Sequence, residues 1–305
     1  MSHRLPDNLI SYGPDANCTL ALCPIQASLY QYRPSLAANT ILLILFFIAG
    51  LLHLYRGLRW REWSFTACMV IGCICEVLGY GGRIMLWQNP FSFAGFMIQI
   101  CLITFAPVFF CAAIYVLLSR VVALLDVSLS RFPPKFWYAI FIPADIVSLV
   151  LQAAGGAMSS SSVGKDSAGV SISLAGLAFQ VVTLFVFSVA CADYAVRYVR
   201  HHGVDAKIDR NFKVFFYALV ASIILIFIRC AYRIEELREG YRSKLISNQP
   251  LFIALEGAVV IVAVFMLLVA SPGPVFQGER KREVQVEKGV ESSSDEEMLQ
   301  TEARR

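Results

Sequence analysis

Seven runs of mostly apolar residues constrain this chain more than any other feature, because each is about 20 residues long, the length a helix needs to cross a bilayer core of about 30 Å. They lie near 35–54, 65–87, 95–118, 136–158, 172–194, 213–233 and 250–270. Each run is continuous and lacks the strict two-residue alternation of a membrane β-barrel strand. The expected fold is all-α: a polytopic membrane protein built as a seven-transmembrane-helix bundle. Composition agrees, since 57% of the 305 residues are hydrophobic and the mean hydropathy is +0.63, far from the balance of a soluble domain. Short connections join most of the runs, which points to one bundle rather than separate domains.

The first 34 residues have no apolar core of the kind a cleaved signal peptide needs, so the first helix is expected to act as its own insertion signal. Orientation follows from where Lys and Arg fall. The loops after helices one, three and five, together with the C-terminal tail, carry seventeen, whereas the N-terminus and the loops after helices two, four and six carry six. The N-terminus is therefore expected outside and the C-terminus in the cytoplasm. Three regions result: an external segment 1–34, a membrane domain 35–271 and a tail 272–305. The net charge of +4 needs no nucleic-acid partner, because the loop asymmetry already accounts for the basic residues.

Nine cysteines fit the same scheme. Cys68, Cys73, Cys75, Cys101, Cys111, Cys191 and Cys230 fall within helices, where free Cys behaves as a small apolar residue. Cys18 and Cys23 fall in the external segment and are candidates for a disulfide. Beside them "NCT" makes Asn17 a candidate glycosylation site. The outer connection "MSSSSVGKDSAGVS" has the Ser and Gly content of a mobile loop. From Pro272 onward the chain is charged and poor in large apolar residues, the composition of a disordered tail. Within that tail Ser292, Ser293 and Ser294 precede Asp295, Glu296 and Glu297, a pattern that suits an acid-directed kinase and equally an unmodified solvated tail. The basic "ERKR" is placed to meet anionic headgroups.

Charges inside the apolar runs carry the functional argument. Glu76 and Arg83 lie in the second, Asp145 and the polar Gln152 in the fourth, Arg229 and Arg233 in the sixth with Glu236 just past its end, and Glu256 in the seventh. An ionised group at the centre of a helix costs about 2.5–3.5 kcal/mol on insertion scales, and such residues face a bundle interior or a substrate or proton pathway. Glu76 and Arg83 share a helix face but stand about 10 Å apart along the axis at 1.5 Å per residue, so each is expected to find its partner on another helix. The expected result is a polar, charge-paired interior that widens toward the outer face. Structural ion pairs that fix helix arrangement are the competing reading of the same residues. Pro107, Pro143, Gly79, Gly81, Gly82, Gly155 and Gly156 lie near these charges, and close helix contact is the expected role of the glycines.

In order along the chain, "YRPS" with Asn39, "EVLGYGGR", "APVFFCAAIYVLLSR", "ADIVSLVLQAAGG", "GLAFQ" and "IRCAYRIEELREG" resemble the signatures of the fungal RTA-like family, also called the lipid-translocating exporter family. The resemblance runs from about residue 30 to 273. It departs at the last helix, with Gln249 in place of a usual Glu, Glu256 in place of Asp, and Ser271 in place of His. The resemblance implies a multi-pass protein of the plasma membrane or another fungal membrane. Its implied task is the export or flipping of amphipathic lipids such as sphingoid bases and sterol-like amines, with resistance to lipophilic toxicants; for some members it implies porphyrin handling.

Two function classes follow. A transporter would work without ATP of its own, since no "GxxxxGK[ST]" loop is present, and its intramembrane carboxylates are candidate proton carriers. Its partners would be membrane lipids and an amphipathic small molecule, with no cofactor and no metal ion. A seven-helix receptor or lipid and stress sensor is the alternative. An enzyme is not expected: neither "HExxH" nor "GxSxG" occurs, and the pair His201 and His202 with Asp205 sits in a loop expected to be solvated. Oligomeric state is not encoded in any pattern of the chain.

Overall fold

The computed structural model describes residues 4–5, 9–125, 129–131, 133–161, 167–202, 210–238 and 248–271. The proposed tail with Ser292, Ser293 and Ser294, the centre of the loop between helices four and five, and Asp205 lie outside the described residues. Among the described residues, seven helices are long and apolar enough to cross a membrane. They are α1 (Leu36–Trp60), α2 (Trp63–Gln88), α3 (Phe93–Leu125), α4 (Pro134–Ser161), α5 (Ser167–His202), α6 (Arg210–Arg238) and α7 (Gln249–Val269). Every apolar run of the sequence became one of them, and α3 and α5 extend well beyond their runs.

Local chemistry sets several ends. The Ser35 hydroxyl accepts from the backbone N–H of Ala38 and caps α1. Arg61 closes the same helix in the left-handed region at φ 57°. Asn248 caps α7 ahead of Pro250, which has no N–H to satisfy. Within α7, residues Ile253–Ala258 form a π-helical turn that carries Glu256 and Gly257. Such turns insert an extra residue and often mark functional positions.

The helices are amphipathic in the sense a bilayer demands. On α1 the buried stripe Asn39, Leu42, Phe46, Ala49, His53 and Gly57 recurs at helical spacing, while Ile44, Phe47, Leu51 and Leu58 point outward. Similar outward belts on α4 (Ile146, Val150) and α5 (Val182, Phe185, Val189) give the bundle an apolar surface that suits lipid. The most buried helix is α3, which packs against α2, α4 and α6. The α2 to α3 seam is close because it is built on small residues: a Cβ on Gly79 would strike Ile103, and one on Gly82 would meet the backbone of Gly95 at 2.8 Å. Gly155 likewise lies against Ser173 and Gly169 of α5. Gly81 and Gly156, in contrast, face open space.

The N-terminal segment folds over the end of the bundle it shares with the α2–α3 turn. Two-residue strands β1 (Arg4–Leu5) and β2 (Leu9–Ile10) pair antiparallel. Cys18 and Cys23 are disulfide-bonded and pack on Phe91. Tyr12 meets Phe93 and Phe96 edge-on, and Arg33 lies 4.4 Å over the Trp87 ring while donating to the Trp87 carbonyl. Asn17 is exposed, and its side-chain oxygen accepts from the backbone N–H of Ile10 at 2.7 Å.

Candidate functional site

On α2 the buried residues Cys73, Glu76, Gly79, Tyr80 and Arg83 recur at three- and four-residue spacing, so one face carries both charges inward. On α6 Arg229, Arg233 and Glu236 do the same, all at least nine-tenths buried. The π-helical turn of α7 brings Glu256 to meet them. Glu256 Oε1 lies 3.5 Å from an Arg229 nitrogen and 3.6 Å from an Arg233 nitrogen. Arg229 also donates to the Ile103 carbonyl of α3 at 2.6 Å. Arg233 donates to Glu236 one turn away and to Thr104 Oγ1 of α3 at 3.0 Å. Four of the anticipated residues thus form one ionic cluster between α3, α6 and α7.

Glu76 borders that cluster, with Arg229 and Glu256 as its charged neighbours. It is fully buried, and neither carboxylate oxygen has a hydrogen bond. The nearby Tyr80 hydroxyl is also unpartnered, with its ring stacked on Phe46 of α1.

Arg83 lies apart from the carboxylates. Among the described residues it makes no ion pair; instead it donates to Asn39 Oδ1 of α1 and to the Tyr32 hydroxyl, each at 3.0 Å. Its guanidinium stands 3.9 Å above the Phe252 ring of α7 and 5.6 Å from that of Tyr30. Arg83 therefore does look to other elements, as expected, but to neutral partners. Tyr30 in turn accepts from Gln99 Nε2 at 2.9 Å. Burial pushes the Tyr30 phenol well above its ordinary range, which keeps the hydroxyl un-ionised.

Asp145 and Gln152 form a separate arrangement on α4. Asp145 accepts from the Tyr115 hydroxyl of α3 at 3.0 Å. Tyr115 is held against Phe187 of α5 and Phe141 of α4. Two turns further along α4, Gln152 Nε2 donates to Ser148 Oγ at 2.8 Å and to Gln180 Oε1 of α5 at 3.0 Å. Asp145 has no ion pair among the described residues, so the polar interior divides into an ionic part and a neutral part.

A cavity joins the two parts. It has about 50 Å³ of free volume and is bounded by α3, α4, α5 and α6, with Gln152, Ser173, Thr104 and Arg233 among apolar walls. A smaller space of about 10 Å³ adjoins it, walled by Tyr30, Gln99, Arg233 and Glu236. Sequence reasoning missed Tyr30, Tyr32, Asn39 and Gln99 as partners of the interior. Asn39 and the Tyr32 of "YRPS" were visible only as parts of a motif; nothing flagged Gln99 or Tyr30.

The fold and this interior define a seven-helix membrane protein with a charge-bearing core and an internal cavity. The chain belongs to the RTA1-like protein family, whose model matches residues 69–279. It is similar to the "Sphingoid long-chain base transporter RSB1" of Saccharomyces cerevisiae, at 28% identity over 281 residues covering 80% of this chain and 73% of the relative. "Protein RTM1" of Saccharomyces cerevisiae is 29% identical over 220 residues, 71% of each chain. "Protoporphyrin uptake protein 1" of the same yeast is 28% identical over 201 residues, 66% of each chain. No solved structure matches.

Proposed function

We propose that this protein is a membrane transporter that exports or flips amphipathic, lipid-like molecules, with sphingoid long-chain bases as the leading substrate class and resistance to lipophilic toxicants as the outcome. The observation that carries the reading is the buried ionic cluster beside an internal cavity, in a chain of the same family as a named long-chain base transporter. Charges held at membrane depth without a catalytic motif suit a path for a polar headgroup whose tail stays in lipid. No chemical step is required for this task.

The excess of Lys and Arg on the loops opposite the N-terminus supports an external N-terminal segment and a cytoplasmic tail; export of an amphiphile from the cell would place this multi-pass protein in the plasma membrane. In that orientation Asn17 is the glycosylation site and the disulfide lies on the oxidising side. The serines of the tail are then available to cytoplasmic kinases. Glu76 and Glu256 are the carboxylates on the path, with Arg229, Arg233 and Glu236 setting their field.

Purified protein in liposomes, with a labelled sphingoid base followed across the bilayer, tests this reading. Glu76→Gln removes a charge while breaking no hydrogen bond of the fold, because neither oxygen has one. The expected result is movement by wild type and its loss in well-folded Glu76→Gln and Glu256→Gln. Wild-type protein that moves no lipid above empty liposomes, over a panel of lipids and pH gradients, would transfer the assignment to a sensor.

A further inference from the structure

We propose that the cavity between α3, α4, α5 and α6 is a headgroup site for an amphiphile bearing both an ammonium and hydroxyl groups, a long-chain 2-amino-1,3-diol. This inference rests on the transporter reading and gives its substrate a place and a selectivity. The free volume of about 50 Å³ has room for about four waters, enough for a headgroup of that size. The adjoining space of about 10 Å³ shares Phe96, Ile100, Arg233 and Leu237 with it, so the two make one bent chamber.

The chamber presents two buried carbonyl acceptors. Gln152 and Gln99 each hold their amide nitrogen in place, Gln152 through Ser148 and Gln180 and Gln99 through Tyr30. Each is thereby clamped with its carbonyl oxygen buried and unpartnered. A buried acceptor without a donor is unfavourable, and a ligand O–H or N–H relieves it. Arg233 already donates to Glu236 and Thr104. An anionic headgroup would have to compete for it against two carboxylates.

Local charge favours a cation. Around Arg229 and Arg233 stand three carboxylates, Glu76, Glu236 and Glu256. Arg83, the remaining guanidinium of the interior, is enclosed by Asn39, two tyrosines and Phe252. Of these carboxylates it is Glu236 that reaches the chamber wall, so its oxygens are the ones an ammonium in the chamber would meet. An ammonium near Glu236 and hydroxyls toward Gln99 and Gln152 satisfy all three.

The tail has an exit. Along α4 the wall is low, made by exposed Ala153 and half-buried Gly156, and a Cβ on Gly156 would meet nothing within 4 Å. A chain leaving there passes the exposed Ala153 toward lipid. That open space also makes Gly156 a suitable probe, because a side chain added at this wall position starts with no neighbour within 4 Å of its Cβ.

The test is binding of labelled sphinganine to the purified full-length protein in nanodiscs, with octadecylamine as competitor and with Gly156→Leu, Gln152→Leu and Gln99→Leu. Expected are affinities at least about tenfold weaker in Gly156→Leu at unchanged thermal stability and in folded Gln152→Leu, which also gives up its bonds to Ser148 and Gln180 and melts lower, and octadecylamine about tenfold weaker than sphinganine, because it leaves the glutamine acceptors unpaired. If Gly156→Leu fails to fold, Gln152→Leu decides. Equal sphinganine affinity in the folded variants, or equal competition by octadecylamine, overturns the site. The liposome assay separates the two levels: unchanged movement in these variants discards the chamber and keeps the transporter, whereas a wild type that neither binds nor moves sphinganine discards both.

Discussion

Arg83 and Arg233 sit at matching depth, five residues before Gln88 at the end of α2 and five before Arg238 at the end of α6, yet their surroundings have little in common. Arg83 is held by an amide, a phenol and two aromatic rings. Arg233 is held by two carboxylates and a threonine. A guanidinium at membrane depth can be satisfied in either way, and the consequences differ. Neutral partners do not respond to one another's charge, so the Arg83 joint is a fixed brace tying α2 to α1, α7 and the N-terminal segment. Carboxylates shared between two arginines form an arrangement in which a change at one group is felt by all. On our proposal the structural reading of the sequence belongs to Arg83 and the pathway reading to Arg233.

The largest expected effect breaks the ionic side. Arg229→Leu leaves Glu256 with only its longer contact to Arg233, and leaves Glu76 without its nearest cation. Removing one partner of a buried pair costs about 3–5 kcal/mol. Thermal unfolding in detergent should show that loss, and the double variant Arg229→Leu with Glu256→Leu should recover a large part of it. No single carboxylate substitution should rescue Arg83→Leu, because no carboxylate pairs with it among the described residues. Equal rescue of both would erase the distinction.

Next in size is Arg83→Lys. The charge is kept, but the fork that reaches Asn39 and Tyr32 together and the flat face over Phe252 are lost. Hydrogen bonds to charged groups contribute about 1.5–3 kcal/mol. The loss should be seen as faster hydrogen exchange or protease cleavage in residues 9–34, which the Tyr32 contact anchors. The same change at Arg233 should leave that segment protected and act on lipid movement instead.

How much of this could be read in advance differs between the two sides. The seven helices were legible because bilayer thickness dictates an apolar run of fixed length, and the burial of Glu76, Arg83, Arg229 and Glu256 followed from the cost of facing them to lipid. Partner choice was not legible. Glu256 reaches α6 because α7 takes a π-helical turn at Ile253–Ala258, and no residue there announces an extra residue per turn. The Arg83 brace depends on Tyr30 and Tyr32 folding back over the bundle, a contact between segments separated by about fifty residues that periodicity within one helix cannot express. Gln99 was hidden for a related reason, since a single Gln in an apolar helix shows its role only through Tyr30 and the chamber beside it. Tyr30→Phe removes that one bond, with an expected loss of about 1 kcal/mol on thermal unfolding.

The smallest effect belongs to the opposite end of the bundle, where Asp193 bridges Arg131 at 3.3 Å and Arg197 at 3.0 Å. On paper this is the same motif as Glu256 between Arg229 and Arg233: one carboxylate shared by two guanidiniums at similar distances. The difference is exposure, because the Asp193 side chain is 42% accessible whereas that of Glu256 is 1% accessible. Water and salt replace the arginines around Asp193 at little cost, so Asp193→Ala should change stability by no more than about 1 kcal/mol and leave sphingoid-base movement intact. Glu256→Ala has no such substitute and should lose several times as much in the same melting experiment. Similar losses at both sites would mean that the cluster between α6 and α7 is reached by water, and that burial is not what distinguishes it.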